Sequence, residues 1–487
     1  MNTGAGGVVA AGHPLTAHAG AQALRGGGNA VDAAIAALLA SFATEPLLTG
    51  LGAGGYMLVA GPGVEPTLLD FFAESPSRRD EGAAALRSVD VSFGSAVQNF
   101  HGGAASCAVY GMPAGVCAAA QRWARLPLTA LAAEAELLAR DGVELNAPQA
   151  YVAEILTGLL AETPECAAIW APEGRVLREG ERIVCPGLAD AIALLAREGA
   201  EPFYRGHVAA AVTEWVWERG GFLTAADLAG YRAIERAPAR VGYRGRELLT
   251  NPPPAAGGTL LAYSLGLLDR APPPPTLEAI VDAMRAAQEA RTDEFVAGLA
   301  APGFLEEFMQ AHLGSTTHIS VLDGDGLACS VTSTNGEGSG VVVPGTGIHL
   351  NNMLGEQDLN PLGFHRHEPG VRLPSMMAPS VVLRDGAVEL VLGSAGSNRI
   401  RSALLQVIVG VADRGLDAHA ALDAPRVHFE DDVLYAEPGI DTAAIGVRTV
   451  HFSAPNLFFG GVQAVLSRDG RIEGAGDPRR GGAAEAA

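Results

Sequence analysis

Two adjacent threonines, Thr316 and Thr317, open a segment of alternating polar and apolar residues, and their type and position suggest nucleophilic chemistry. A threonine hydroxyl is a weak nucleophile because its side chain holds no group that removes its proton at neutral pH. If a cut made the threonine the first residue of a chain, its own α-amine, with a reference pKa of about 8, would serve as the base. The cut would fall between Ser315 and Thr316. Threonines at the start of a strand also follow from β propensity alone, so the pattern by itself leaves both interpretations open.

Composition excludes several other kinds of chemistry. The 487 residues include no lysine, which rules out a Schiff base, a P-loop lysine and every other mechanism that needs an amine side chain. The net charge of −21, without any basic cluster, argues against nucleic acid and membrane surfaces as partners. Five scattered cysteines without CxxC spacing indicate neither a disulfide framework nor a zinc site. The sequence opens without a basic region followed by an apolar one, so we expect a cytoplasmic protein, and nothing in the sequence demands a cofactor.

A glycine run and two histidine pairs are weaker candidates for a binding site. The run Gly50–Gly55 fits GxGxxG, but a dinucleotide-binding fingerprint follows a strand and opens a helix, and here that order is reversed. Close backbone packing between a helix and a sheet explains the glycines better, with an anion-binding or oxyanion loop as the alternative. His13 with His18, and His365 with His367, lack carboxylate or cysteine companions at ligand spacing, so we predict no metal site.

The elements that must position Thr316 are strands beside it and helices around them. A short strand, GGVVAA, opens the chain, and Asn29 is placed to cap a helix. Helical spacing predicts helices over Leu15–Leu24, Ala30–Ala43, Val116–Arg125, Thr129–Asp141, Ala147–Glu162, Pro186–Glu198, Leu277–Phe295 and Asn398–Asp413. After Ser315 the pattern changes to two hairpins, TTHISVLD with LACSVTST, and APSVVLRDGAVELVLG. Helical layers flanking strand pairs predict a layered α/β sandwich, and we expect the Gly/Ala-rich C-terminal tail to be frayed.

Sequence blocks along nearly the whole chain resemble the γ-glutamyltranspeptidase family. In chain order they are GHPLTAHAG, GGNAVDAAIAALLASFATEPLLTGLGAGGYMLV, GMPAGV, LTAADLAGYR, NPPPAAGG, TTHISVLDGDGLACSVTS, GTGIHLNNML, PSMMAPSVV, GSAGSNRI, DAPRVHF and GDPRRG. So many blocks in the family's order make the resemblance specific. It implies an α+β fold, the four-layer αββα sandwich of the N-terminal-nucleophile hydrolases, and self-cleavage into a large segment, residues 1–315, and a small segment, residues 316–487. The two fragments would form a heterodimer, with a dimer of heterodimers left open.

The same resemblance implies catalytic roles for four positions. Thr316 Oγ1 would first attack the carbonyl of Ser315 during maturation and later attack a substrate carbonyl, forming an acyl-enzyme. Thr334 matches a second threonine that orients the new α-amine, and a purely structural role at a strand end is the alternative. Backbone N–H groups of Gly396 and Ser397 would form the oxyanion hole, where loss of one donor typically lowers the rate by about 10²–10³.

Substrate recognition is where this sequence departs from the family. Phe72 stands in place of the arginine that binds the γ-glutamyl α-carboxylate, so a bidentate clamp is lost. Met353 replaces the amine-binding residue after Leu-Asn-Asn, although Glu356 lies where a second amine-binding acid would be. Losing two charged hydrogen bonds, at about 1.5–3 kcal/mol each, would weaken binding of a γ-glutamyl group by roughly two to four powers of ten.

Other substrate positions are kept in part. Asn335 and Ser375 match polar positions of the family, while Met376 stands where a second serine is frequent. Arg78 or Arg79 could replace the lost arginine, with a surface position as the alternative for both. We therefore predict that the scaffold and nucleophile are kept and that the substrate has changed.

The sequence leaves three alternative functions to be tested. The first is a self-processing hydrolase or acyltransferase of antibiotic-type specialised metabolism, acting on a small acyl or amino-acid-like compound other than a γ-glutamyl peptide. The bond cut would be an amide C–N bond or an activated C–C bond beside a ketone, because family members with altered pockets include cephalosporin acylases, an oxamate hydrolase and homologues in pathways to alkylproline-containing antibiotics. The second is a genuine γ-glutamyl hydrolase or transpeptidase of glutathione metabolism. The third is a non-catalytic scaffold.

Overall fold

The computed structural model describes residues 6–78, 86–92, 97–161, 163–289, 317–356, 359–360 and 363–487. The strands are β1 Gly7–Ala11, β2 Gly54–Gly61, β3 Val64–Phe71, β4 Arg87–Ser92, β5 Val97–Gly102, β6 Val143–Glu144, β7 Arg182–Ile183, β8 Ile234–Arg236, β9 Ala239–Tyr243, β10 Arg246–Thr250, β11 Thr317–Asp323, β12 Ala328–Thr334, β13 Val342–Val343, β14 Ile348–His349, β15 Ser380–Arg384, β16 Ala387–Ala395, β17 Val427–Glu430, β18 Val433–Ala436, β19 Arg448–His451, β20 Gly461–Arg468, β21 Arg471–Gly476 and β22 Ala483–Ala486. The α-helices are α1 Pro14–Arg25, α2 Ala30–Thr44, α3 Met112–Trp123, α4 Leu128–Asp141, α5 Ala147–Ile155, α6 Thr157–Leu160, α7 Pro164–Trp170, α8 Pro186–Glu198, α9 Glu201–Tyr204, α10 His207–Glu218, α11 Ala225–Gly230, α12 Ala256–Asp269, α13 Leu277–Glu289, α14 Arg399–Asp413 and α15 Ala418–Asp423. No helix in these described ranges is long and apolar enough to cross a membrane.

Two antiparallel sheets lie at the centre of the fold. The first has the strand order β22-β1-β11-β12-β2-β3-β8, and the second has the order β21-β20-β16-β15-β10-β9. Strands that precede residue 315 are interleaved with strands that follow it. In the first sheet β1 lies between β22 and β11, and β12 lies against β2.

Alternation of side chains along the strands accounts for the layers. On β11, Ile319 and Val321 belong to the core shared with α1 and α2, whereas Leu322 belongs to the core between the sheets. On β16, Leu392 packs in the core shared with α12 to α14, whereas Val391 packs between the sheets. The order is therefore helix, sheet, sheet, helix, which confirms the predicted αββα sandwich.

Helix α2 is the central helix of the first layer, and its end positions part of the site. Asn29 Oδ1 accepts from the N–H groups of Val31 and Asp32, and the Asp32 carboxylate accepts from Asn29 N–H at 2.8 Å, which confirms the predicted cap. All 15 residues of the helix are buried, as expected for a helix that is apolar on every side. Because α2 ends at Thr44, the next residue, Glu45, is carried into the interior.

Two local predictions were wrong. The C-terminal tail is not frayed: it forms β22 and pairs with β1, with Val8 opposite Ala486. Its sequence is too short for a strand pattern, and the exposed edge of β1 supplies the hydrogen bonds that order it. The helix expected over Ala147–Glu162 breaks at Leu156, where Thr157 Oγ1 donates back to the Glu154 carbonyl at 2.6 Å.

Other helices begin or end within a few residues of their predictions. The last predicted helix before the hairpins is observed as Leu277–Glu289, and the rest of its predicted span lies outside the described residues. The glycine run packs as expected: a Cβ on Gly52 would lie 2.3 Å from the His349 carbonyl oxygen, and one on Gly55 would lie 2.5 Å from the Thr332 carbonyl oxygen. The run therefore serves close backbone packing.

Candidate active site

The ends of β11 and β12 form the frame of the site. Thr317 pairs with Ser333, and His318 pairs with Thr332. Ser315 and Thr316 lie outside the described residues. Thr334, the last residue of β12, is buried, and its Oγ1 accepts a hydrogen bond from Gly336 N–H at 2.8 Å. This bond uses an oxygen lone pair, so the hydroxyl proton can still be donated to an acceptor at the end of the strand.

His318 ties this end of β11 to both sheets. Its Nδ1 lies 2.8 Å from Thr332 Oγ1, and its Nε2 lies 2.9 Å from Ser320 Oγ. The ring fits because a Cβ on Gly393 of the second sheet would lie 2.3 Å from the imidazole. Burial lowers the pKa of His318 to about 3, so the ring is neutral near pH 7. The geometry therefore gives His318 a structural role.

Glu45 is a buried acid at the start of β11. Its Oε1 accepts a hydrogen bond from Thr317 Oγ1 at 3.0 Å, and its Oε2 has no hydrogen-bond partner among the described residues. Burial raises the pKa of Glu45 to about 7, against the opposing effects of the Thr317 hydroxyl and the Arg480 charge. The lack of a side chain at Gly12 leaves room for this carboxyl group, since a Cβ there would lie 2.3 Å from Oε1.

The loop between β16 and α14 has two successive residues with positive φ. Gly396 has φ +121° and Ser397 has φ +54°, and both lie immediately before the 15-residue helix α14. Asn398 forms no side-chain cap on that helix. The N-terminal end of a helix carries a partial positive charge, so a developing negative charge near this loop would be stabilised.

Phe72 and Met353 lie in an apolar environment. Both are fully buried and belong to the core between the sheets, where Phe72 stacks on Tyr56 with 5.3 Å between ring centroids. The Tyr56 hydroxyl is buried without a hydrogen-bond partner in the described part of the chain. The position expected to hold an arginine clamp therefore offers packing and no charge.

The two arginines that contact Asp70, two residues before Phe72, are already paired. Asp70 contacts Arg236 at 2.7 Å and Arg372 at 3.1 Å, and Arg372 also contacts Glu74 at 2.6 Å. Arg78 lies over the ring of Trp217, an exposed residue, with 3.9 Å to the centroid. Arg78 is thus half-buried against an exposed tryptophan, and Arg79 lies outside the described residues.

The four other predicted substrate residues are divided between two places. Asn335 and Glu356 are buried at the turn that follows Thr334, where a Cβ on Gly336 would lie 2.0 Å from Glu356 Oε1. Ser375 Oγ accepts from Met377 N–H at 3.1 Å. Met376 packs in the core between the second sheet and its helices, apart from Phe72 and Met353. The structure thus brings Glu356 and Asn335 to the Thr334 turn and places the Met376 side chain elsewhere.

A small open cavity, with about 40 Å³ accessible to water, lies beside these elements. Thr317, Ala395, Glu45 and Arg480 contribute to its wall. The rest of the lining is mainly apolar and includes Leu47, Leu145, Val152, Trp170 and Leu457. No group of three His, Cys, Asp or Glu side chains that could hold a metal ion occurs within the described ranges.

A comparison with known protein families shows which family this chain belongs to. The family model described as gamma-glutamyltranspeptidase matches residues 16–298 and 300–487. The chain belongs to the gamma-glutamyltranspeptidase family. It is therefore an enzyme, an N-terminal-nucleophile hydrolase or acyltransferase with the fold described above.

Relatives within the gamma-glutamyltranspeptidase family include both acylases and glutathione hydrolases. The chain is 31% identical to the acylase ACY 1 proenzyme of Pseudomonas sp. (strain SE83), an alignment that covers 97% of this chain and 92% of the relative. It is 30% identical to the glutathione hydrolase proenzyme of Escherichia coli (strain K12), over 97% of this chain and 90% of the relative. The crystal structure of the cephalosporin acylase from Bacillus halodurans superimposes with a TM-score of 0.85 at 26% identity, covering 99% of this chain and 96% of that one.

Sequence reasoning missed two charged residues of this gamma-glutamyltranspeptidase-family site. In the sequence Glu45 lies just beyond the helix predicted over Ala30–Ala43, and Arg480 is part of the block GDPRRG; neither is singled out there for a role. Both reach the cavity through tertiary contacts with glycines, Gly12 for Glu45 and Gly461 for Arg480. A charged residue that ends a wholly apolar helix was the available signal for Glu45, because such a residue is carried into the interior.

Proposed function

We propose that this enzyme matures by cutting the Ser315–Thr316 bond and uses Thr316 as its nucleophile to transfer or hydrolyse a small acyl group other than γ-glutamyl, in antibiotic-type specialised metabolism. The chemistry would be cleavage of an amide C–N bond or of an activated C–C bond beside a ketone. The mature protein would be a heterodimer of residues 1–315 and 316–487. Its acylase and glutathione hydrolase relatives are both named proenzymes, which supports processing.

The register of β11 with β12 is the observation that carries the nucleophile assignment. Thr317 lies opposite Ser333, and in an antiparallel pair the next position toward the start of β11 corresponds to the next position toward the end of β12. Continued by one residue, this register would put Thr334 opposite the residue before Thr317, which supports the proposal. A new α-amine at position 316 would therefore find the Thr334 hydroxyl as its hydrogen-bond partner.

The proposed reaction needs only groups of this site. Thr316 Oγ1 adds to the substrate carbonyl carbon while the α-amine accepts the hydroxyl proton. Backbone N–H groups at Gly396 and Ser397 stabilise the oxyanion, helped by the N-terminal end of α14. The leaving amine departs with the proton, and water or another amine then attacks the ester, which returns Thr316 to its starting state.

The altered pocket supports a substrate without an α-carboxylate at the Phe72 end. Phe72 and Met353 are buried among apolar side chains. Arg236 and Arg372, which contact Asp70 two residues before Phe72, are committed to Asp70 and Glu74. A γ-glutamyl carboxylate placed there would lose its water without gaining an ion pair. We therefore expect γ-glutamyl-p-nitroanilide to be a poor substrate, and turnover at the rate of glutathione hydrolases would contradict this proposal.

Intact-mass spectrometry of the purified protein tests the nucleophile. We expect the wild type to show two fragments that meet at Ser315/Thr316, Thr316→Ala to stay whole, and acyl transfer by Thr316→Ala to fall by at least about 10³. Thr317→Ala is the matched control, because it removes the neighbouring hydroxyl and leaves Thr316 in place. A chain that stays whole only in the Thr317 variant, or a Thr316→Ala protein that is still cut, would show that the assignment is wrong.

A genuine γ-glutamyl hydrolase is the second candidate. Glu356 lies beside the turn after Thr334, where it could bind a substrate amine, and the Escherichia coli glutathione hydrolase is a full-length relative. Competition assays with glutathione and free glutamate distinguish the candidates. Strong inhibition by both would favour the second.

A further inference from the structure

Arg480 is a half-buried residue in the wall of the cavity, and its side chain forms one hydrogen bond within the described residues. Its Nη2 donates to the Leu457 carbonyl at 3.3 Å, and its Nε is buried without a partner. A guanidinium has five N–H donors. Within the described residues Arg480 forms no ion pair, although Asp477, Glu45 and Glu337 act on it from farther away. Burial and the charge of Arg399 lower the pKa of Arg480 to about 10, so it stays cationic near pH 7.

Two neighbouring arginines, Arg426 and Arg479, are buried and paired with carboxylates, whereas Arg480 is half-buried. Arg426 contacts Asp477 at 2.7 Å, and Arg479 contacts Glu437 at 2.5 Å. A buried guanidinium is costly unless a carboxylate or other acceptor compensates for the lost water. Arg480 lacks such a compensating partner at contact distance in the described chain, and an anionic group bound in the cavity would supply one.

The backbone makes room for Arg480 to reach the cavity. A Cβ on Gly461 would lie 2.4 Å from Arg480 Cδ, so the start of β20 admits the side chain only because it is glycine. A Cβ on Gly396 would lie 3.5 Å from Arg480 Nη2, which places the guanidinium beside the loop proposed to hold the oxyanion. The same cavity includes Thr317, which follows the proposed nucleophile.

We propose that Arg480 binds a carboxylate of the substrate, so that this enzyme takes a carboxylate-bearing acyl compound with an apolar body. The inference rests on the proposed acyl-transfer function, since the cavity is defined by its position beside Thr317 and Gly396. The apolar body would contact Leu145, Val152, Trp170 and Leu457. Glu45, the acid of the same wall, is occupied by Thr317 and forms no contact ion pair with Arg480 in the described structure. The anion site would thus have moved from the Phe72 end of the pocket to the Arg480 end.

Calorimetric binding to the full chain tests the inference without any need for turnover. The probes are 4-phenylbutyrate and 4-phenyl-1-butanol, which share an apolar body and differ in the carboxylate. Charge-assisted hydrogen bonds of about 1.5–3 kcal/mol predict that the wild type prefers the acid by roughly 10- to 150-fold. We expect Arg480→Gln to lose that preference while its affinity for the alcohol is unchanged, and Arg480→Lys to keep part of it. Arg197→Gln, at an exposed arginine of α8, is the control and should behave as the wild type.

Two binding results would contradict the role proposed for Arg480. A wild type that does not prefer the acid, or an Arg480→Gln protein that still prefers it, overturns the assignment. If circular dichroism shows that Arg480→Gln is unfolded, the wild-type preference and the Arg480→Lys variant decide. Intact mass reports the Thr316 cut separately, so a failure of self-processing is distinguished from a failure of carboxylate binding.

Kinetics then show which side of the scissile bond carries the anion. Glutaryl-p-nitroanilide has its carboxylate on the acyl group, 4-(butyrylamino)benzoate has it on the leaving group, and butyryl-p-nitroanilide has none. We expect Arg480→Gln to raise KM for one of the two acids at least tenfold more than it raises KM for the neutral amide. Equal losses for all three compounds would indicate a structural role and contradict the proposal.

Discussion

At the scale of single residues, Glu45 shows how burial changes a common side chain. A carboxyl group with a single hydrogen-bond donor, Thr317 Oγ1, has too little compensation for its lost water, and its pKa rises to about 7. The folded protein therefore binds a proton at Glu45 between pH 4.5 and pH 7, where the unfolded chain has released it.

This difference predicts the pH dependence of stability. A raised pKa means that the contribution is complete below about pH 4.5 and is lost as the pH rises through about 7, a change of roughly 3 kcal/mol in the free energy of unfolding. Glu45→Gln keeps an acceptor for Thr317 and cannot titrate, so the decline should largely disappear. Urea unfolding of both proteins from pH 4.5 to pH 8, each carrying Thr316→Ala so that the chains stay whole, measures it. Parallel pH profiles for the two proteins would show that Glu45 is not the titrating group.

At the scale of elements, the turn that follows β12 holds the site together. Gly336 has φ +65°, and a Cβ there would lie 2.0 Å from both Asn352 Oδ1 and Glu356 Oε1. Gly386, in the turn between β15 and β16, has φ +81° with open space around it. Alanine at position 386 therefore tests the free-energy cost of a left-handed backbone alone, whereas alanine at position 336 adds the cost of steric crowding.

Alanine substitutions at these positions should differ in size. Gly386→Ala is expected to lower the free energy of unfolding by about 1–2 kcal/mol, the cost of the backbone conformation alone. Gly336→Ala should cost more, about 3 kcal/mol or above, because the Glu356 carboxyl group must also move, and acyl transfer should fall with it. Thermal unfolding of the two variants, with wild-type protein beside them, gives the comparison. Equal losses would mean that Gly336 is needed for its backbone conformation only.

Local sequence patterns predicted most of the helices and strands but few of the tertiary contacts between them. The Asn29 cap, the β11–β12 hairpin and the β15–β16 hairpin follow from short-range signals such as Asn before an apolar helix and Asp385-Gly386 in a turn. The strand β22 could not be predicted in this way, because its four residues are rich in alanine and form a strand only by pairing with the edge of β1. Family resemblance supplied the candidate catalytic positions, but the reach of Arg480 past Gly461 depends on three-dimensional contacts that no local pattern records.

At the scale of the whole molecule, the two segments cannot be separated by one cut. The first sheet takes β1, β2, β3 and β8 from before residue 315 and β11, β12 and β22 from after it, and the second sheet joins β10 of the first segment to β15 of the second. Breaking the chain at residue 315 leaves all of these ladders intact.

The interleaved sheets predict the behaviour of the cut protein. Both fragments should elute together in gel filtration under native conditions and should separate only in denaturant. We also expect them to unfold in one transition, because each sheet loses strands from both fragments at once. Two separate unfolding transitions, one for each fragment, would contradict this description of the fold.

The pairing of β22 with β1 brings the ends of the described chain together, with Ala487 N–H donating to the Gly7 carbonyl at 3.0 Å. A circular permutant therefore follows: a short linker from residue 487 to residue 6, with new ends at 316 and 315. Removal of its initiator methionine would give Thr316 a free amine by translation, and the Ser315–Thr316 bond would never have to be broken. Maturation and catalysis, which the proposed function assigns to one hydroxyl, would become separable. Acylation of the permutant by an activated ester would then measure catalysis alone.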